Sequence, residues 1–68
     1  MADPCEKMRQ FFVYKHLPEH LQGISAACSM LANSMLLELP HNPELTVGLR
    51  KLLEAKDCFV RAQLYKDE

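Results

Sequence analysis

The side chains able to do chemistry in this chain are few, and their types and spacing favour binding over catalysis. Cys5, Cys28 and Cys58 form an odd set with no C-x-x-C pair, the usage expected of reduced thiols in an intracellular protein. Cys58 stands near two cations, Lys56 and Arg61. A nucleophile also needs a positioned base, and none lies close in sequence. His16 and His20 are four apart, a spacing that can serve a metal on a helix, but Pro18 falls between them. No close pair of further ligands completes a tetrahedral set, so no metal is expected. There is no Ser/His/Asp order and no Gly-rich phosphate loop, since Gly23 and Gly48 stand alone. The chain is read as a non-enzyme without a cofactor.

One stretch remains to be explained. Residues 11 to 18 read FFVYKHLP and hold three of the five aromatic residues of a 68-residue chain without tryptophan. The cheapest reading is a flap: Phe11, Phe12 and Val13 cover apolar surface elsewhere. The net charge of −1 gives no broad attraction for DNA, RNA or an anionic membrane. Any bound anion must therefore be held by a local cluster.

The elements that would position these residues are helical, because no strand-like alternation occurs. Asp3-Pro4 is a workable helix start, so Cys5 to Phe12 can form about two turns within an N-terminal segment, residues 1–17. Pro18-Glu19 starts a helix over residues 18–39, with apolar residues at Leu21, Ile24, Cys28, Leu31 and Met35. Those spacings of 3 and 4 make a seam. Pro40 ends it. Asn42-Pro43-Glu44 then supplies an N-cap, a proline at the first position and an acid in the first turn. The second helix, 43–65, turns Leu45, Leu49, Leu52, Leu53, Phe59, Val60 and Leu64 to one face. A connection this short makes the pair an antiparallel hairpin. The fold expected is all-α, one domain over residues 1–68.

A lone hairpin leaves the first helix underburied. Gln22 to Leu37 are sixteen residues without Asp, Glu, Lys or Arg, and a helix apolar or small on most sides is a buried helix. Ser25, Ser29, Asn33 and Ser34 make it too polar for a membrane span, and no secretory leader pattern opens the chain; the expectation is a cytosolic protein. A short N-terminal segment covers only part of a helix about 30 Å long. A homo-oligomer with this helix at its centre is therefore expected. On the second helix, Arg50–Glu54 and Asp57–Arg61 have the spacing of solvated ion pairs. Lys56 occupies an apolar position, where a lysine either snorkels outward over its stem, the reading favoured by sequence, or faces an interface that wants a cation.

Phe12-Val13-Tyr14-Lys15-His16-Leu17-Pro18, Leu31-Ala32-Asn33-Ser34-Met35 through Leu39-Pro40, and Glu44 through Ala62 together resemble the hairpin domain of phage cyclic-nucleotide sponges. That domain belongs to the type 2 anti-CBASS protein and is shared with a Thoeris-inhibiting sponge. The resemblance covers residues 12 to about 64. It implies a helical homo-oligomer, typically a hexamer, in the cytoplasm of an infected bacterial host. Such proteins bind cyclic di- or trinucleotide immune signals at subunit interfaces and sequester them uncleaved.

Carried over by residue, the resemblance makes Tyr14 a stacking platform for a base, an interaction worth roughly 1–3 kcal/mol. Phe12 and His16 belong to the same lead-in. Lys15 is inserted between tyrosine and histidine, and Ser25 stands where the sponges place a basic residue. Lys56 and Arg61 are the expected phosphate contacts of a second, trinucleotide-like site. Two alternatives accompany this reading: a sponge for cyclic ADP-ribose-type signals, and a helical interaction module with no nucleotide ligand.

Overall fold

The computed structural model describes residues 3–66; residues 1, 2, 67 and 68, the outermost of the expected domain, lie outside the described residues. The chain begins with α1 (Pro4–Lys7). Asp3 caps it, its Oδ1 accepting from the Cys5 N–H at 2.9 Å, and Pro4 comes directly after the cap with φ already set for a helix. The helix tightens into a 3₁₀ segment over Met8–Phe12 and ends where Val13 becomes extended. The short N-terminal helix expected over residues 5–12 is therefore present, the greater part of it 3₁₀. Next comes a turn, closed by the Leu17 N–H donating to the Tyr14 carbonyl at 3.0 Å. Lys15 and His16 form its tip.

The two long helices are α2 (Glu19–Glu38) and α3 (Pro43–Leu64), each within a residue of its expected bounds. The Asn42 side chain caps α3 by accepting from the Leu45 N–H at 3.0 Å. At the far end Gln63 donates to the His20 carbonyl at 2.7 Å, so the end of α3 meets the start of α2. The molecule is an all-α hairpin about 46 Å long. No helix among the described residues is long and apolar enough to cross a membrane.

The core departs from the expected seam. The residues of α2 that are buried are Ser25, Cys28, Ser29, Ala32 and Leu36, while Ile24 and Leu31 are exposed. The helix is rotated so that its small side chains face inward. The reason is the N-terminal segment: Cys5, Met8 and Phe12 join Cys28, Ala32, Leu36, Leu45 and Leu49 in one cluster. Small residues on α2 make room for the Phe12 ring, which is 2% exposed. The segment thus covers more of α2 than its length suggests. Even so, Met30 (70% exposed), Leu37 (84%) and Phe59 (54%) stay open to solvent, and beyond Leu49 no described residue of α3 is fully buried.

Two surface expectations are corrected. Lys56 does not snorkel outward; its side chain is 14% exposed and turns in toward the N-terminal segment. The reason is an unpaired main-chain acceptor, the Phe11 carbonyl, which takes a hydrogen bond from Nζ at 2.8 Å. Neither helical ion pair forms among the described residues. Asp57 lies 3.9 Å from Lys56 instead, and Arg61 reaches back to the Cys58 sulfur at 3.3 Å.

Candidate functional site

The folded N-terminal segment gives the hairpin concave surface, and six of the seven residues singled out from the sequence line two separate cavities. The first, about 250 Å³, lies between the lead-in and α2 and brings Phe12, Tyr14 and Lys15 together with Arg9, Ser29 and Asn33. The second, about 260 Å³, lies between the start of α2 and the later half of α3, and holds Ser25, Lys56 and Arg61 beside Leu17, Asp57 and Val60. His16, exposed at the tip of the turn, lines neither.

In the first cavity the residues differ in how available they are. Phe12 is core, so its ring offers no free face for stacking within one chain. Tyr14 is half-buried and Lys15 exposed. The turn carrying both is tied to α2 by Gln22, whose side-chain amide donates to the Leu17 carbonyl at 2.9 Å. Arg9, not anticipated from the sequence, reaches across to Asn33 Oδ1 at 2.6 Å. Its other nitrogens grip Glu6 in a two-pronged pair at 3.0 and 3.1 Å. Those hydrogen bonds hold the Glu6 carboxyl below its ordinary range and raise Arg9 further. An anion entering here competes with Glu6 for Arg9 and meets Lys15, which makes no ion pair among the described residues. Arg9 has no local signature of a site residue, because its partner across the cavity, Asn33, lies 24 positions away.

The second cavity has a different character. Ser25 is 1% exposed and its Oγ has no protein hydrogen-bond partner among the described residues. Buried hydroxyls are nearly always satisfied by protein or water, so an orphan beside a cavity marks a place where a polar group belongs. Lys56 uses one of its three ammonium donors on the Phe11 carbonyl, and Arg61 one of its five on Cys58. Both retain donors for a ligand, offset in part by Asp57. The site needs the fold: Ser25 and Arg61 are 36 positions apart, and only the antiparallel return of α3 joins them.

A third group gathers at the opposite end, where Asp3, Cys5 and His41 bring three ligand-type atoms within 4.8 Å of one another. His41 Nε2 faces the Leu36 carbonyl at 2.8 Å and Nδ1 faces Asp3 Oδ2 at 2.5 Å. A ring nitrogen facing a carbonyl must donate, and the protonated ring donates from its other nitrogen to the Asp3 carboxylate. The hydrogen bond to Asp3, then that to Leu36, raises the His41 pKa, and the same bond lowers that of Asp3.

Comparison of the chain with protein-family models, with curated proteins and with solved structures finds no match in any of the three.

Proposed function

We propose that this chain is a phage anti-defence protein that binds cyclic di- or trinucleotide immune signals at sites completed by a second copy and holds them uncleaved. The observation that carries the reading is the orphan Ser25 hydroxyl in a cavity with Lys56 and Arg61. A phosphodiester supplies what that site lacks, an acceptor for the hydroxyl and a negative charge for the cations. Tyr14 and Lys15 in the neighbouring cavity then offer a ring and a cation to another part of such a ligand.

Size argues for a shared site. Each cavity is smaller than the roughly 300–1,000 Å³ of pockets that enclose a drug-sized ligand. One cavity takes a phosphodiester group, and a wall from another subunit completes the enclosure. The exposed Ile24, Met30, Leu31 and Leu37 on α2 provide apolar surface for that subunit. A closed homo-oligomer, hexameric by the motif resemblance, matches a cyclic ligand with its own repeat.

A second reading rests on Phe11 and Val13, both exposed on either side of buried Phe12. They offer an apolar anchor of the kind protein partners use, and so favour an interaction module without a nucleotide ligand. Calorimetry of the purified protein against cyclic di-, tri- and tetranucleotides and cyclic ADP-ribose isomers separates the two. Submicromolar binding of one class, with ligand recovered intact after heating the complex, supports sequestration and names the signal. Binding no tighter than micromolar across the panel sinks it, and a monomer by light scattering removes the shared site.

A further inference from the structure

We propose that Asp3, Cys5 and His41 form a zinc site that staples the N-terminal segment to the turn between the long helices. The three donors are a carboxylate oxygen, a thiol sulfur and an imidazole nitrogen, all within 4.8 Å of one another. A tetrahedral zinc ion, with Zn–S about 2.3 Å and Zn–N or Zn–O about 2.0–2.2 Å, sets its donors roughly 3.3–3.6 Å apart. Closing the set requires Cys5 Sγ to move toward Asp3 and His41, away from the Asn42 carbonyl and Thr46 Oγ1 that it faces at 3.5 and 3.2 Å, and Asp3 and His41 to part slightly. Both of the latter are partly exposed, with side chains 37% and 25% accessible, so they have room to adjust.

The surroundings favour this cation for three reasons. The His41 ring is already oriented as a ligand: Nε2–H donates to the Leu36 carbonyl, which leaves Nδ1 directed at the cluster. A main-chain acceptor on the far nitrogen is the usual support of a zinc-bound histidine. The charges also close, since Zn²⁺ with one thiolate and one carboxylate is neutral. Finally, the sulfur selects against magnesium and calcium, which take oxygen ligands. On binding, the cation replaces the proton between Asp3 and His41 and the proton of the Cys5 thiol, both of which pass to solvent. A cavity of about 340 Å³ beside the cluster, walled by Pro4, Pro43, Thr46 and Val47, leaves room for a water at the fourth position.

The consequence is mechanical. A domain of this length with no disulfide among its described cysteines gains most from a cross-link between distant segments. The staple joins residues 3 and 5 to residue 41, and so anchors the segment that carries Phe12, Tyr14 and Lys15.

The test is titration of the full chain with cobalt(II), then with zinc. One equivalent of cobalt is expected to give tetrahedral ligand-field bands and a thiolate charge-transfer band, and zinc to abolish both. Cys5→Ser should remove the charge-transfer band, His41→Gln should weaken affinity at least tenfold, and Cys58→Ser should change neither. The absence of a thiolate band at tenfold excess of cobalt overturns the site, as does a band that survives Cys5→Ser or disappears in Cys58→Ser. If circular dichroism shows that Cys5→Ser does not fold, His41→Gln decides, and unchanged affinity there overturns the proposal.

Discussion

The Lys56 ammonium lies 5.9 Å from the centre of the Phe12 ring while donating to the Phe11 carbonyl. One side chain of α3 therefore holds both the backbone and the aromatic anchor of the N-terminal segment. Lys56→Met keeps the stem and removes the charge. The lost hydrogen bond and cation–π contact should cost roughly 1–3 kcal/mol. Thermal unfolding should fall accordingly, and amide exchange should quicken over residues 4–12. An unchanged melting temperature would show that the contact is not formed.

Ser25→Ala separates ligand binding from folding. The Ser25 Oγ is buried with no protein partner among the described residues, so deleting it breaks no hydrogen bond within the fold. The ligand-free variant should melt at or above the wild-type temperature. Affinity for a cyclic nucleotide identified by calorimetry should nevertheless drop at least tenfold. A variant that binds as wild type removes Ser25 from the site.

Asn42→Ala tests the start of α3. The side chain satisfies the Leu45 N–H at 3.0 Å, and loss of such a cap costs about 1 kcal/mol. Denaturant unfolding should show a lower midpoint with an unchanged slope. Asn42→Gly should lose less, because glycine is itself tolerated at the cap.

The Asp3–His41 pair makes the metal-free protein sensitive to pH. His41 is raised by its bond to Asp3 and the Leu36 carbonyl, so its contribution is complete below the unfolded value of about 6.5 and fades as pH rises through its folded value. Asp3 is lowered by the same bond, so its contribution is complete above about 3.9 and fades as pH falls through its folded value. Glu6, also lowered, adds to the field on His41. Chelator-treated protein should therefore be most stable between about pH 4 and 6.5. Melting curves across that range should lose this maximum in His41→Gln; a maximum that persists would assign it to other groups.

The helices were legible because local chemistry dictates them. Asp3-Pro4 and Asn42-Pro43-Glu44 start α1 and α3 whatever the rest of the chain does, and Pro40 forbids the helix before it to continue. The face of α2 that turns inward was not legible. Ile24 and Leu31 are the more hydrophobic residues, yet Ser25 and Ala32 are buried. Hydropathy ranks side chains by transfer from water, whereas the choice was made by volume: only small residues leave space for Phe12. Lys56 was misjudged for a related reason, since the acceptor that draws it inward lies 45 positions away in the Phe11 backbone.

Among the site residues, Lys56 and Arg61 could be placed in one site from the sequence and its motif resemblance but Ser25 could not be joined to them, and Arg9 and the Asp3–Cys5–His41 group arose only on folding. The sequence by itself determined the helices, their ends and the antiparallel return, because caps, prolines and short connections act over a few residues. Tertiary structure alone decided which helix face is inside, which hydroxyl is left unpaired and which distant charges meet. Those outcomes depend on how three segments share one volume, and no local pattern encodes that.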